Sequence, residues 1–424
     1  MRRKRFFPAF LALFLASVPY ATAQDTWERI NPTGEVPTAR KGHSMETIGN
    51  TVYLYGGYSA LKFDASGAMY YFAEQEWEEA RSQNTPPPAR YAQKTVIRDG
   101  NMYVYYGRDK NAPLNDIWEF NPSTKLWRKI EPEGAVKPVA RYDHSATLIG
   151  DKAYIFGGRG AGDTPLNDLW SYDFVSNVWE QLPSLAATTL YGHVGVTDGT
   201  NLFIYNGYDN QYISMEIYKF NPATKVWSQH SPQGSGWPLA FPCVVQLDAN
   251  SVFLFTGMWG ELGRNNCYKW DLNTHDFKSL LAGPEYGCAA AAWMPGQRSL
   301  KTGGTEYEQF VFFGGVNDNV FSNQTWIYTS DVELFSGIGD NEQKQIRVYP
   351  NPADDHFTIE IDEQEIAGKE MKYQIMDILG KVLAEGKING SQTRADIAKL
   401  APGLFFVKIR DENGEMRMFK RVKK

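Results

Sequence analysis

The sequence predicts an all-β protein, a six-bladed β-propeller followed by a small β-sandwich of immunoglobulin type. Three observations carry that prediction. An aromatic run ending in glycine recurs six times, other landmarks keep their distance from that glycine, and the character of the chain changes after residue 345.

The recurring run reads YLYGG to Gly57, YVYYG to Gly107, YIFGG to Gly158, FIYNG to Gly207, FLFTG to Gly257 and VFFGG to Gly315. The closing glycines recur at an interval of roughly 50 residues, stretched only before Gly315, and that is the length of one four-stranded blade. Arg40, Arg90 and Arg141 stand at one fixed distance ahead of Gly57, Gly107 and Gly158. Trp77, Trp127, Trp179 and Trp227 follow their glycines at a near-constant distance, and Phe277 and Phe335 hold that position in the last two repeats. A fixed aromatic there suits packing between blades. Residues 52–55 and 153–156 are β-branched or aromatic runs that stop at glycine, as strands do. Asn121-Pro122 and Asn221-Pro222 supply turn chemistry further along the blade. No long amphipathic helix interrupts residues 25–335.

Arg2, Arg3, Lys4 and Arg5 precede an apolar run at residues 6–18 and the small-residue triplet Ala21-Thr22-Ala23, so residues 1–23 read as a secretory signal peptide cleaved before Gln24. That apolar run is too short for a bilayer, which takes roughly 20 residues to span, and no other stretch comes closer. Residues 24–335 are assigned to the propeller, 336–345 to a polar linker and 346–424 to the sandwich. Trp27 stands as far before Arg40 as Trp77 does before Arg90, so it reads as an outermost strand without a blade of its own. Trp27 and Phe335 compete to close blade six, and Trp27 is the preferred choice because it latches the two ends of the ring.

The double glycines, the Arg-x-x-His-Ser of residues 40–44 and 141–145, and the spaced Tyr and Trp resemble kelch repeats over most of residues 24–335. Blades five and six depart from the pattern, lacking the arginine and carrying Phe in place of Trp. Residues 346–424 resemble the C-terminal sorting domain of the type IX secretion system of Bacteroidota. The motifs that carry this resemblance are VYPNPA at 348–353, Ile378-Leu379-Gly380-Lys381-Val382, the run at 400–407 and the basic ending Lys420-Arg421-Val422-Lys423-Lys424. Leu404-Phe405 stands where a tyrosine is common. The resemblance implies passage across the outer membrane through the type IX machinery as partner, removal of the tail, and a mature protein at the cell surface or in the medium.

The formal charge of −6 includes four cationic residues of the leader, which has no acid, so the rest carries −10. From residue 346 onward 14 Lys and Arg meet 13 Asp and Glu, which leaves −11 for residues 24–345. Nucleic acid is an unsuitable partner for such a surface. The three cysteines, Cys243, Cys267 and Cys288, are an odd set without a CxxC pair. They are not a disulfide framework or a zinc site; small buried residues are the preferred reading, with one pair formed after export as the alternative and its partners not fixed by the sequence.

With the Arg40 position as zero, the next position reads Lys41, Tyr91, Tyr142, Tyr191, Phe241 and Tyr286. In a kelch-like blade this is the start of the innermost strand. The residues just after the glycines, Tyr58, Arg108, Arg159, Tyr208 and Trp259, run back to the same face. The expected ligand site is therefore a funnel lined by Tyr91, Tyr142, Tyr191, Phe241, Tyr286 and Trp259, with Arg108 and Arg159 at its rim. Aromatic faces suit the C–H faces of sugars and arginines suit a carboxylate, so the expected ligand is a glycan or a protein. For any single tyrosine, packing between blades is an equal alternative.

Two residues further come His43, Gln93, His144, His193, Cys243 and Cys288. The repeat symmetry accounts for these histidines without a metal, so neither metal nor cofactor is expected. No GxSxG, HExxH or phosphate-binding glycine loop is present. Kelch-type propellers include sugar-modifying enzymes, and Glu285 with Arg90 or Arg141 is the one acid–base pairing that suits a mutarotase. A surface binding protein is the leading expectation, with a structural or adhesive component and a sugar-modifying enzyme as alternatives; no catalytic residue is assigned.

Overall fold

The computed structural model describes residues 25–59, 69–209, 212–234, 238–246, 248–260, 262–294, 308–330, 346–349, 355–361, 371–376, 381–388, 390–400, 403–410 and 416–423. The expected signal peptide, the expected linker and Phe335 lie outside them.

Six four-stranded antiparallel blades stand around an axis, and blades one and five each carry a short fifth strand, Thr33–Gly34 and Gln233–Gly234, added in parallel at the outer edge. In blade two, Lys94–Arg98 is innermost, followed outward by Asn101–Tyr105, Ile117–Asn121 and Leu126–Ile130. Blade six is assembled from both ends of this region. Its strands Ala290–Trp293, Glu308–Phe313 and Thr325–Ser330 are completed by Thr26–Ile30, in the register Thr26↔Thr329 to Ile30↔Thr325. Trp27 therefore sits in the strand that closes the ring.

At the axis the six blades are joined by one circle of backbone hydrogen bonds. The N–H of Ala92 donates to Gly42 O (2.7 Å), Asp143 to Ala92 (3.1 Å), Gly192 to Asp143 (2.9 Å), Phe241 to Gly192 (2.7 Å), Cys288 to Phe241 (3.3 Å) and Gly42 to Cys288 (2.8 Å). All six residues have φ between +52 and +64°. Ala92, Asp143, Phe241 and Cys288 thus hold a left-handed conformation that costs a side-chain-bearing residue about 1 kcal/mol, offset here by satisfying an N–H that the inner strand edge would otherwise leave unpaired.

Between blades, the landmark aromatic of each outermost strand packs on an aromatic from the second strand of the preceding blade. Trp27 lies 5.7 Å from Phe255, Trp77 5.1 Å from Phe313, Trp127 5.0 Å from Tyr55, Trp179 6.3 Å from Tyr105, Trp227 5.4 Å from Phe156 and Phe277 4.7 Å from Tyr205. The buried members, Trp77, Trp127, Trp179 and Phe277, each contribute roughly 3–5 kcal/mol when truncation to alanine is the measure, and the partly buried Trp27 and Trp227 less.

The C-terminal region is a sandwich. The three-stranded sheet of Ile346–Tyr349, His356–Ile361 and Gln392–Asp396 faces the four-stranded sheet of Val382–Lys387, Lys372–Met376, Gly403–Arg410 and Met416–Lys423. Phe357, Ile359, Ile375, Phe405, Val407 and Ile409 form the core between them. The Lys423 ammonium is buried and donates to the carbonyls of Ile397 (2.7 Å), Ala398 (2.8 Å) and Leu400 (2.8 Å), tying the last strand to the loop that leaves the opposite sheet.

Candidate functional site: the axial funnel and its rim

Where the inner strand of each blade begins, an isolated bridge joins it to the residue after the closing glycine. The pairs are Lys41↔Tyr58, Tyr91↔Arg108, Tyr142↔Arg159, Tyr191↔Tyr208, Ala240↔Met258 and Gly287↔Val316. Blades one to four keep the register expected from the sequence. Blades five and six do not, because the length of the first hairpin changes there: Cys243–Gln246 and Ser251–Trp259 enclose a longer turn, and Ala290–Trp293 is separated from Glu308–Phe313 by a long connection.

The shift relocates four residues. Phe241 and Cys288 occupy the axial circle, the position of Gly42. Cys243 pairs with Phe255 just as Ser44 pairs with Tyr55, so it is not a counterpart of the histidines. Tyr286 falls in the place of Arg40, Arg90 and Arg141 and packs into the cluster around Phe255 and Phe310 instead of facing the opening.

Tyr58, Tyr91, Tyr142, Tyr191, Tyr208 and the relocated Phe241 form a belt around the mouth, joined by Phe321, which the sequence did not single out. Phe321 lies 5.6 Å from Tyr58, Tyr58 5.6 Å from Tyr91, and Tyr91 6.4 Å from Tyr142. Tyr191 lies 5.5 Å from Tyr208, and Phe241 6.2 Å from both. The gap between Tyr142 and Tyr191 is bridged by the Arg159 guanidinium, 4.5 and 4.7 Å from the two ring centres, a cation–π arrangement. Tyr142 is buried, whereas Tyr91, Tyr191 and Phe241 are partly exposed. The Phe241 ring lies over Gly192, where a Cβ would come within 2.6 Å of it.

Both rim arginines carry counter-charges that the sequence reading did not single out. Arg159 is held by Asp143 through Nε (3.1 Å) and a second, shorter bond. Burial pushes the Asp143 carboxyl above its usual range, and Arg159 opposes the shift. Arg108 donates to Asp163 (2.8 Å) and to the Tyr142 hydroxyl (3.2 Å), and that hydroxyl also donates to Asp163. The available signal was adjacency, since Asp143 directly follows Tyr142, the residue that bridges to Arg159 across the mouth.

Arg90 and Arg141 are fully buried and serve the scaffold. Each grips an aspartate bidentately, Asp116 at 2.6 and 2.8 Å and Asp168 at 2.7 and 2.7 Å, and bonds the carbonyl of Tyr106 or Gly157. They are therefore not at hand for the exposed Glu285, and the acid–base pairing considered for a mutarotase is not assembled.

The histidines are likewise interior groups. His43 Nε2 meets Phe313 O at 3.1 Å and His193 Nε2 meets Ser145 Oγ at 3.0 Å. Burial, aided by Arg40 for His43, holds both down to about 3, so they are neutral. His144 packs against Tyr106 with ring centres 5.5 Å apart and the planes tilted by 57°, and burial lowers it further. Among the described residues no group of three or more His, Cys, Asp and Glu is placed to hold a metal.

Trp259 stands apart from the belt. It is 47% exposed and walls an open cleft of about 280 Å³ with Pro238, Leu239, Arg264 and Asn266.

The comparisons agree with this architecture. The KLHDC2/KLHL20/DRC7 Kelch-repeats domain matches residues 17–158 and 69–257, and the secretion system C-terminal sorting domain matches residues 347–423. Kelch domain-containing protein 3 of Bos taurus is 29% identical over 224 residues, 47% of this chain and 56% of that protein. The leucine-zipper-like transcriptional regulator 1 homolog of Drosophila melanogaster is 24% identical over 281 residues, 61% of this chain and 28% of that protein. The N-(sulfonatooxy)prop-2-enimidothioate sulfolyase of Thlaspi arvense is 24% identical over 275 residues, 58% of this chain and 77% of that protein. The chain spans 56% of the Bos taurus relative and less of the Drosophila one. With its family and its tail both matched, the chain belongs to the kelch-repeat proteins and ends in a type IX sorting domain that directs export to the cell surface or the extracellular space.

Proposed function

We propose that this exported protein is a binding protein whose ligand, a glycan or a protein segment, enters the axial funnel and stacks on its belt of aromatic rings. The supporting observation is the run of the belt: rings from blade six through blades one, two and three follow one another, those of blades four and five continue it, and Arg159 fills the break between Tyr142 and Tyr191. Packing between blades does not require half-exposed rings at the mouth, because the landmark aromatics already fill that role deeper in the fold. The ion pairs hold the two guanidinium groups in fixed positions, so a ligand meets a preorganised surface. The sorting domain makes the type IX machinery the partner during export.

The test is a glycan and peptide array probed with the full secreted chain beside Tyr91→Ala and Tyr191→Ala. Each substitution is expected to weaken binding about tenfold, the effect of roughly 1.4 kcal/mol of lost ring contact. Undiminished binding by both variants would remove the funnel and leave an adhesive role through the outer loops.

A further inference from the structure

We propose a second, separate ligand site on the mouth face: the cleft beside Trp259, which takes a pyranose ring bearing a carboxylate. In blade five the second and third strands run on past the closing glycine as a ribbon, with Gly257 opposite Arg264, Met258 opposite Gly263 and Trp259 opposite Leu262. Side chains alternate across a strand, so Gly257, Trp259, Leu262 and Arg264 share one face. Gly257 brings no side chain there. The space left opposite Arg264 is floored by Leu239 and Pro238 and bordered by Asn266.

The other face of the ribbon is committed to the fold. A Cβ on Gly287 would strike Met258, a Cβ on Gly263 would lie 2.7 Å from Glu285 O, and the Gly263 N–H donates to Asn317 Oδ1 at 3.0 Å. At the tip, the Gly260 N–H donates to the Tyr208 hydroxyl at 2.9 Å. The ribbon is thus held along the face turned away from the cleft and at its tip, so the cleft is shaped before any ligand arrives.

Its chemistry differs from that of the funnel. Arg108 and Arg159 are paired with Asp163 and Asp143, and Arg90 and Arg141 with Asp116 and Asp168. Among the described residues, exposed Arg264 has no such counter-charge, although residues 24–345 carry a net charge of −11. A half-exposed indole offers a stacking face for the C–H side of a sugar ring. A guanidinium with no counter-charge among the described residues offers two parallel donors for a carboxylate, and the Asn266 amide can serve a hydroxyl. A volume just below the usual range of ligand pockets suits a single ring rather than an extended peptide.

The test uses the full secreted chain and calorimetric titration with galacturonate, glucuronate and N-acetylneuraminate glycosides, their methyl esters, and an aspartate-rich peptide. At least one acidic glycoside is expected to bind at least tenfold more tightly than its ester. Arg264→Gln should bring acid and ester to the same affinity, Trp259→Ala should weaken both at least tenfold, and Tyr191→Ala should change neither. Equal binding of acid and ester, no binding of any acidic glycoside, tighter binding of the peptide, or loss with Tyr191→Ala but not with Trp259→Ala would overturn the assignment. Because Tyr191 lines the funnel and is not among the residues that wall the cleft, failure of the cleft and failure of the funnel give different patterns.

Discussion

Blades one to three and blades four to six solve the same packing problem with different chemistry. At the position just before the mouth, the first three carry Arg40, Arg90 and Arg141, which bond the carbonyls of Gly56, Tyr106 and Gly157. The last three carry Leu190, Leu239 and Tyr286, which fill similar space with apolar surface. A second difference, which divides the blades differently because blade six has Gly314 and blade two has Tyr106, runs along the blade interfaces. Gly56, Gly157 and Gly314 leave room for Gln93, His193 and His43 of the next blade. Asn206 and Thr256 fill that space themselves, and the following blades answer with Pro242 and Ala289. Either solution supports a blade. The polar one, however, fails badly when a single partner is lost, because the survivor stays buried and unpaired.

The largest expected effect tests that asymmetry. Arg141→Leu copies blade four but strands Asp168 and the Gly157 carbonyl, and should destabilise the propeller by about 3–5 kcal/mol in urea denaturation. Adding Asp168→Asn should recover a large part of the loss in a double-mutant cycle. A neutral single variant would show that the arginine is ornamental.

A smaller contrast concerns the first residue of each glycine pair. Gly157→Ala places a Cβ 2.6 Å from the Leu190 carbonyl oxygen at φ +58° and should cost about 2 kcal/mol. The reverse change in blade four, Asn206→Gly, removes a buried amide whose two polar atoms lack partners and should stabilise by about 1 kcal/mol. Changes of opposite sign in melting temperature would sharpen the comparison; destabilisation by both would break it.

The smallest effect is a pH dependence. Glu46 on the inner strand of blade one accepts from Thr95 Oγ1 at 2.6 Å, and burial pushes its carboxyl up to about 7, against the opposing pull of Thr95 and Lys94. The folded state therefore holds this proton more tightly than the unfolded chain, so stability falls as pH rises from about 4.5 through 7. Glu46→Gln should flatten that decline, with the variant gaining on the wild type between pH 5 and pH 8 in thermal melts. Parallel curves would place the carboxyl in a wetter setting.

Much of the fold was legible because repetition averages out local ambiguity. Six glycines at one period announced the blades, and the distance from Trp27 to Arg40 announced the closing strand, both independent of any single propensity. The mouth was legible only where hairpin length stayed constant. Tyr286 and Cys288 were misplaced because the first hairpin of blade six is longer, and one added residue turns a side chain from one environment to the next. The aspartates that hold Arg108 and Arg159 leave no periodic trace in the sequence: Asp143 meets Arg159 across the first hairpin of blade three, and Asp163 reaches Arg108 from the neighbouring blade. The axial circle was invisible as well, since Ala92, Asp143, Phe241 and Cys288 share a backbone conformation and no chemistry.

The strand that closes blade six has a consequence in time. Thr26–Ile30 is made before the other strands of the propeller and has no partner until Thr325–Ser330 has emerged, after every other blade has been synthesised. Until then the ring stands open, with one outer edge of blade six unpaired and able to template association. A chain delivered through an export pore meets the same order of events, because leading and trailing segments must be on the same side before the first blade touches the last. Proteolytic loss of the few residues around Trp27 after export would reopen that edge, so this short strand acts as the clasp on which the lifetime of the whole mature ring depends.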